Sequence, residues 1–375
     1  MNIKCLNNIS DNGLKAIREV GNIVDNVNEA ESIVVRSFDM HEYELNDNII
    51  AVARAGAGVN NIPIDKYGKQ GVVVFNTPGA NSNAVKEMVL CCALLACRDV
   101  CGGINWVKDN AETEELNKVV EKKKATFAGF ELMGKKIFVW GLGVIGYKVA
   151  NMFSALGMKV YGYDPFIRED IKKEINTDVT IVDDYKKIIK EVDFITVHIP
   201  LNDNTKGIVN KEIFDVLEKK VVLLNFSRDK IVNEDDLKEA IDCGKVVKYV
   251  TDFPNNKVVK YNNVIAIPHL GASTEEAEDM CAIMAAKQIA EYKNFGSIVN
   301  SVNYPYCKLD KKGKKYRILL NAVSEEGIDI NNIIEDTNNI DVKVFERGAY
   351  KYIVIDSDEL INIEKADYIK KIRVI

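Results

Sequence analysis

The chain has 375 residues, which at about 150 residues per domain predicts two or three domains and excludes a single small binding module. Hydrophobic residues make up 47% of it and charged residues 28%, close to the average for globular proteins, which excludes a disordered chain. The formal net charge of −6 disfavours nucleic acid and anionic lipid as partners, because both select basic surfaces. A small-molecule partner is the working hypothesis.

Further features of composition narrow the class of protein. The longest wholly apolar run, residues 88–97, has about half the length that a bilayer crossing needs, and the first residues lack the apolar core of a secretory signal. The cysteines form no CxxC pair and no metal-like Cys/His spacing, which predicts reduced thiols and no metal site. We therefore expect a cytoplasmic protein, whose histidines are His41, His198 and His269.

The first hundred residues predict one α/β domain. Three short segments, 33–38, 49–56 and 71–77, are almost continuously apolar, as strands are when helices cover both faces of a parallel sheet. A helix is predicted from about residue 83 to residue 98, where apolar side chains recur at helical spacing. This helix is long enough to connect two domains.

A second α/β series begins after the charged segment 112–124. Strand and helix patterns alternate from residue 136 to residue 269, and this rhythm predicts a doubly wound parallel sheet. A long helix follows from Thr274 to about Phe295, with Ser273 or Thr274 as its N-cap and glutamates in its first turn.

The last part of the chain has a different pattern. A polar connector, 303–315, precedes strand, helix, strand, strand, helix and strand patterns, which is the order of a ferredoxin-like α+β unit. The predicted fold class is therefore α/β, with two doubly wound parallel-sheet domains of Rossmann or flavodoxin-like type and a small C-terminal α+β domain.

A glycine motif indicates a dinucleotide site. Gly141, Gly143 and Gly146 follow a predicted strand and open a helix, and Asp164 ends the next strand. The glycines allow a tight turn and close backbone approach, the helix N-terminus attracts a pyrophosphate, and the carboxylate accepts the ribose hydroxyls. Asp164 would repel a 2′-phosphate, which favours NAD over NADP, although Arg168 lies nearby. The alternative is that the glycines serve only a turn.

Other candidate residues lie at the predicted carboxyl ends of strands, where ligands of open α/β sheets bind. Arg228 is a cation suited to binding a carboxylate, unless it forms a surface salt bridge. His269 is suited to general acid–base work, unless it is a core or surface residue. We expect a cofactor-side or structural role for His198, and a surface position for His41.

Five segments of the sequence form a pattern, in this order: RAGAGVNNIPID, NTPGANSNAVKE, GLGVIG, LNFSR and IPHLGASTEEA. In order and spacing they resemble the D-isomer-specific 2-hydroxyacid dehydrogenases, and among these the enzymes that oxidise 3-phosphoglycerate for serine biosynthesis. The resemblance extends from about residue 34 to residue 303. It implies a D-2-hydroxyacid dehydrogenase that uses NAD.

The resemblance also implies a domain plan. Residues 1–98 and 275–302 would form a discontinuous substrate-binding domain, residues 99–274 the NAD-binding domain, and residues 303–314 a linker. Residues 315–375 resemble an ACT domain, a module that binds amino acids between paired copies. L-serine is therefore a possible effector, a purely dimerising role is the alternative, and a homodimer or homotetramer is expected.

Site residues are carried over by motif. Arg228 would bind the substrate carboxylate, and His269 would exchange the hydroxyl proton. The expected NAD-binding residues are Gly141, Gly143, Val144, Ile145, Gly146, Asp164, His198, Pro200, Phe226, Ser227, Asp252, Gly271 and Ala272. The expected substrate-binding residues are Arg36, Arg54, Ala55, Gly56 and Asn81. The arginines among them favour a phosphorylated acid, because a second anionic group needs its own cations.

One segment departs from the family pattern. Most members place a glutamate beside the catalytic histidine, but TDFPNNKVV has Asn256 or Lys257 at that place. Asn256 is included with the catalytic residues because it could orient His269. The predicted reaction is oxidation of 3-phospho-D-glycerate to 3-phosphohydroxypyruvate. The alternatives are a hydroxypyruvate, glyoxylate or D-lactate type of reductase, and a low-turnover scaffold that senses NAD.

Overall fold

The computed structural model describes residues 1–310, 313–334, 339–364 and 366–375. These residues form two compact units. Unit 1 comprises Met1–Asn81 together with Thr274–Ile375, and unit 2 comprises Ser82–Ser273.

The helices and strands are numbered in chain order. Unit 1 begins with β1 (Asn2–Leu6), α1 (Asp11–Val20), β2 (Asn22–Ile23), β3 (Ser32–Val35), β4 (Ala51–Arg54), α2 (Ile64–Lys69) and β5 (Val73–Phe75). Unit 2 contains α3 (Ser82–Cys97), α4 (Val100–Asp109), α5 (Leu116–Lys123), β6 (Lys136–Trp140), α6 (Gly146–Ala155), β7 (Lys159–Tyr163), α7 (Glu169–Lys172), β8 (Thr180–Ile181), α8 (Lys186–Ile189), β9 (Phe194–Val197), α9 (Lys211–Asp215), β10 (Val221–Asn225), α10 (Glu234–Asp242), β11 (Val246–Thr251) and β12 (Val264–Ala266). Unit 1 resumes with α11 (Glu275–Phe295), β13 (Tyr316–Val323), β14 (Ile340–Arg347), β15 (Tyr350–Ser357) and β16 (Ile369–Val374).

The N-terminal part of unit 1 is built on a parallel sheet in the order β2-β1-β3-β4-β5, which is the flavodoxin-like order. Every residue of β3 is buried, because the two faces of the strand meet different cores. Val34 packs with α11, whereas Ile33 and Val35 pack on the opposite side of the sheet with Tyr67 of α2. The apolar strands and the covering of both faces agree with the sequence prediction.

The sheet of unit 2 is parallel, in the order β12-β11-β10-β9-β6-β7-β8. The strand order reverses at the β6–β9 pair, so the carboxyl ends of these strands border the crevice in which doubly wound proteins bind ligands. The helix α3 belongs to this unit, although the sequence placed it in the substrate-binding domain. The reason is packing, since Val85, Val89 and Cys92 share a core with Ile137 and Val149.

The C-terminal sheet is antiparallel, in the order β14-β15-β13-β16, which is the ferredoxin-like strand order. The two helices predicted for this part are not found in the described residues: a single 3₁₀ turn, Ile330–Asn332, follows β13, and residues 358–364 and 366–368 form no helix. In the described residues these stretches form no helix because they are short and rich in Asn and Asp, which favour turns and caps over helix interiors. Residues 335–338 and 365 lie outside the described part of the chain.

The C-terminal sheet belongs to unit 1 because it shares buried groups with α11. Leu319 and Tyr352 lie in one apolar core with Ile289 and Tyr292. The buried guanidinium of Arg317 makes two bonds to the Asp356 carboxylate, at 2.6 and 2.7 Å, and donates to the carbonyl oxygens of Phe295 and Asp310, both at 2.9 Å. A cation of β13 thus caps the last residue of α11, where carbonyl groups lack helical partners.

Replacing Arg317 by alanine should lower the free energy of unfolding of unit 1 by about 3–5 kcal/mol, because it leaves the largely buried carboxylate of Asp356 without its cation. Urea unfolding followed by circular dichroism measures this change. The control is Arg168→Ala, which removes an exposed pair with Asp170 and should cost less than about 1 kcal/mol. Equal losses in the two variants would contradict the prediction.

Candidate active site

The glycine loop between β6 and α6 has three glycines with three different constraints. Gly141 has φ +95°, and a Cβ there would lie 2.8 Å from the carbonyl oxygen of His198. A Cβ on Gly146 would collide with the carbonyl oxygen of Gly141, whereas one on Gly143 would meet nothing within 4 Å. Gly143 therefore borders open space beside the N-terminus of α6, where amides without helical partners attract a phosphate.

Asp164 lies directly after β7 and is fixed beside this loop. Its Oδ2 accepts a hydrogen bond from the amide of Leu142 at 3.0 Å, and its Oδ1 accepts from the amide of Phe166 at 2.9 Å. A carboxylate has further lone pairs for ribose hydroxyls. Arg168 makes two bonds to Asp170, at 3.0 and 2.7 Å. With that cation paired, the charge beside the loop favours a free ribose over a 2′-phosphate.

His198 supports the loop with its backbone. Its amide donates to the carbonyl of Trp140 at 2.7 Å, and its Nε2 lies 2.9 Å from the hydroxyl of Thr196. Its Nδ1 is buried and has no partner among the described residues. Burial lowers the pKa of this imidazole to about 3, so the ring is neutral at pH 7 and is not suited to exchange protons there.

The loop after β10 is clamped by its own polar side chains. The Asn225 amide donates to the carbonyl of Arg228 at 2.8 Å and accepts from the amide of Ser227 at 3.1 Å, and the Ser227 hydroxyl donates to the carbonyl of Ile199. The guanidinium of Arg228 donates to the carbonyl of Ser227 at 2.6 Å. No carboxylate within the described ranges pairs with Arg228, which argues against the surface salt-bridge alternative.

The loop after β12 carries His269 and is held by a buried carboxylate. Asp252, only 3% exposed, accepts from the amides of Leu270 at 2.6 Å and Gly271 at 2.8 Å. Burial raises the pKa of Asp252, and the two amide bonds oppose that shift. His269 itself is exposed with φ +52°, a conformation that costs energy for a residue with a Cβ. The imidazole is therefore presented to solvent on a fixed backbone.

Phe253 brings the two predicted catalytic side chains to one place. Its ring centroid lies 4.7 Å from that of the His269 imidazole, and the Cζ atom of Arg228 lies 5.8 Å from it. Sequence reasoning missed Phe253, although it directly follows Asp252 in the segment that departs from the family pattern. A single sequence does not show which residue contacts a predicted catalytic side chain.

The two residues expected at the position of the family glutamate lie apart from the imidazole contacts. Asn256 is exposed, and its side chain makes no hydrogen bond to His269. The ammonium of Lys257 lies 2.7 Å from Asp235 and 3.8 Å from Glu234 of α10. Neither residue takes the place of the glutamate as a hydrogen-bond partner of His269.

The other predicted NAD-binding residues lie near these loops. Val144 and Ile145 complete the glycine loop, and Ile145 packs on the core of unit 2, as does Ala272. Phe226 is buried, whereas Pro200 is exposed. For these residues contact with NAD stays a prediction.

The predicted substrate-binding arginines lie in unit 1, at the carboxyl ends of β3 and β4. Arg54 donates from Nε to the carbonyl of Arg36 at 3.1 Å, and the guanidinium of Arg36 pairs with Glu278 of α11, a residue that the sequence analysis missed. A Cβ on Gly56 would press against the Arg54 guanidinium, so the glycine makes room for that side chain.

Two more predicted residues of this set also lie in unit 1. Ala55 is buried directly after β4. The Oδ1 of Asn81 is buried and has no partner within the described part of the chain. Their contact with substrate stays a prediction.

Metal-binding clusters and membrane-spanning helices are both absent from the described residues. There, no group of three or more His, Cys, Asp or Glu side chains is arranged to hold a metal ion. None of the helices in the same residues combines the length and the apolarity that a membrane span needs.

A doubly wound sheet with a glycine loop, a helix N-terminus and a carboxylate after the second strand defines a dinucleotide-binding protein. Residues 90–271 match the family described as D-isomer specific 2-hydroxyacid dehydrogenase, NAD binding domain. The chain is 30% identical to a D-3-phosphoglycerate dehydrogenase of Methanocaldococcus jannaschii, over 97% of this chain and 68% of that protein. The chain belongs to the D-isomer specific 2-hydroxyacid dehydrogenase family, and NAD is the dinucleotide of its unit 2.

Two further comparisons agree with this assignment. A hydroxypyruvate reductase of Thermotoga maritima is 33% identical over 72% of this chain and 86% of its own length. The structure of NAD⁺-bound 3-phosphoglycerate dehydrogenase of Entamoeba histolytica has a TM-score of 0.62, with 26% identity, and the match covers 81% of this chain and 98% of that one. The chain spans 56–68% of the length of the first curated phosphoglycerate dehydrogenases that it matches.

The open space at Gly143 predicts that Gly143→Ala folds normally but binds NADH at least about tenfold more weakly, because the added methyl group fills the approach to the helix N-terminus. Fluorescence titration with NADH and thermal unfolding measure the two quantities. Gly146→Ala is the matched variant and should lose stability, because its Cβ meets the Gly141 carbonyl. Full NADH affinity in Gly143→Ala would contradict the prediction.

Proposed function

We propose that the chain oxidises D-2-hydroxy acids with NAD, and that its substrate is 3-phospho-D-glycerate, which it converts to 3-phosphohydroxypyruvate in the first step of serine biosynthesis. The observation that carries the proposal is the convergence on the ring of Phe253 of an exposed imidazole and a guanidinium that pairs with no carboxylate in the described residues. These are the two groups that the oxidation of a 2-hydroxy acid needs beside the dinucleotide. The family to which the chain belongs supports the same reaction.

Each residue has one task in the proposed mechanism. NAD, when bound at the glycine loop and Asp164, supplies the acceptor for the hydride from C2. Arg228 binds the substrate carboxylate through two parallel N–H groups and stabilises the negative charge that develops on the C2 oxygen. His269 accepts the proton of the C2 hydroxyl at a ring nitrogen, and its imidazolium returns a proton in the reverse direction.

The choice among acids rests on the cations of unit 1. A phosphate group needs its own positive partners, and Arg54 and Arg36 provide two at adjacent strand ends. The pairing of Arg36 with the carboxylate of Glu278 holds the Arg36 guanidinium in place. The guanidinium would then be shared between the Glu278 carboxylate and the substrate. The same-class alternative is a reductase of hydroxypyruvate, glyoxylate or D-lactate. A sensing scaffold would not need Arg228 and His269 beside each other.

Assays of NADH formation should detect activity with 3-phospho-D-glycerate and NAD, and weaker activity with D-lactate, D-glycerate, 2-hydroxyglutarate or NADP. His269→Ala should lower kcat by about 10²–10⁴, because the proton acceptor is lost. His41→Ala is the control, since His41 is exposed and pairs with Asp39. Activity confined to an unphosphorylated acid would support the reductase alternative, and NAD binding without turnover of any acid would support the scaffold.

For the C-terminal sheet we infer self-association in a homodimer or homotetramer, with binding of L-serine as the alternative. The edge strand β14 supports this role, because in the described residues it pairs only with β15 and exposes Val344. Such an edge is a template for pairing with another chain. Among the described residues between β13 and β14, a single 3₁₀ turn offers less than a full helix to an effector site.

Isothermal titration with L-serine and sedimentation velocity test the two roles together. We expect no saturable heat with L-serine, and a dimer or larger species that the variant Val344→Lys weakens, because charge on an edge strand blocks pairing. Thr180→Lys, at an exposed position of the other unit, is the control. Saturable binding of L-serine would overturn this inference in favour of a regulatory sheet.

A further inference from the structure

We propose that Phe253 is a positioning residue, which holds Arg228 and His269 in the relative orientation that the dehydrogenation needs. The proposal rests on the proposed function. Among the described residues, the ring of His269 has one aromatic contact, to Phe253, with the ring centroids 4.7 Å apart. Within the described part of the chain, no side chain donates a hydrogen bond to this imidazole or accepts one from it. The orientation of the ring therefore depends on packing.

Phe253 is well placed to set that orientation because its own backbone is fixed. It follows β11 by two residues, and its amide donates to the hydroxyl of Thr251 at 3.0 Å. Thr251 is fully buried, and Asp252 between them accepts the amides of Leu270 and Gly271. One strand end thus holds both the backbone around His269, through Asp252, and the ring of His269, through Phe253.

An aromatic side chain suits this place for an electrostatic reason. The guanidinium of Arg228 lies over the Phe253 ring, and the imidazole becomes a cation when it has accepted a proton. Two cations in direct contact would repel each other, whereas the negative face of an aromatic ring attracts each of them. An aliphatic side chain of similar size would fill the space without this attraction. The ring therefore keeps two groups of the same sign close together.

The proposal predicts a loss of turnover with dinucleotide binding intact. Phe253→Leu should lower kcat about tenfold, since misplaced catalytic groups cost rate, while the KM for NAD changes less than about twofold because Phe253 is outside the glycine loop. Phe253→Tyr keeps the ring and should restore kcat. The matched control is Phe130→Leu, because Phe130 packs on Phe194 with centroids 6.0 Å apart and carries Lys135 at 5.7 Å. It should keep the wild-type kcat.

Nuclear magnetic resonance adds a readout that does not need turnover. The chain has three histidines, so the imidazole proton signals are assigned by substituting each histidine in turn. The ring current of Phe253 should shift the His269 signals, and Phe253→Leu should move them toward the position of a free imidazole while Phe253→Tyr and Phe130→Leu leave them in place. If Phe253→Leu does not fold, Phe253→Met replaces it, with thermal unfolding as the check.

The outcomes separate this proposal from the proposed function. Wild-type kcat and unmoved His269 signals in Phe253→Leu would overturn the positioning role, while loss of activity in His269→Ala would leave the proposed function standing. Equal losses in Phe253→Leu and Phe253→Tyr would also overturn it, because the ring would then not matter. If the wild-type chain turns over no acid, the proposed function fails. Unmoved His269 signals in Phe253→Leu would then also overturn the contact between Phe253 and His269.

Discussion

Parallel pairing of four strands is the constraint on which the candidate site depends. The strands β6, β9, β10 and β11 are neighbours in one sheet, and parallel strands must end at the same edge. The glycine loop, the loop of Arg228 and the segment of Phe253 are far apart in sequence, but each directly follows one of these strands. The loop of His269 joins them because β12 pairs in parallel with β11. No local preference of any loop could bring these groups together.

Each loop is then fixed by a polar side chain at the end of a strand. Asp164 holds the glycine loop through the amide of Leu142, Asn225 holds the loop of Arg228, and Asp252 holds the loop of His269. These side chains satisfy backbone groups that would otherwise be costly to bury. Arg228 and His269, the proposed reacting side chains, stay exposed. A rigid backbone under exposed side chains is the arrangement that keeps catalytic groups in position while substrate enters.

The sequence predicted those parts of the fold and site that depend on local pattern. Buried parallel strands are continuously apolar, and a glycine motif between a strand and a helix has one well-understood use, so the sheets and the binding of NAD by unit 2 were predictable. The role of Asp164 as an NAD-binding residue stays a prediction. His269 was singled out as the candidate acid–base residue because the sequence has only two other histidines. Phe253 was not identified, because one aromatic residue in a loop has no periodicity. The ion pairs of Lys257 were not predictable either, because its partners lie on α10, far from it in sequence. The two helices predicted for the C-terminal part are not found in the described residues, because their segments are short and rich in Asn and Asp, which favour turns over helix interiors.

Packing against α11 ties the C-terminal sheet to the rest of unit 1. Its strand order is that of a ferredoxin-like unit, but Leu319 and Tyr352 lie in the core of α11, and the hydroxyl of Tyr352 donates to the carbonyl of Gly296 at 2.7 Å. Arg317 adds a buried cation whose partners come from the sheet, the end of α11 and the following segment. Moving the sheet away would expose this core and break the hydrogen bonds of Arg317 to the carbonyl oxygens of Phe295 and Asp310, which would leave the last residue of α11 without its cap. Any ligand or second chain that binds the sheet therefore acts on unit 1 as a whole, because the sheet and α11 are one packed structure.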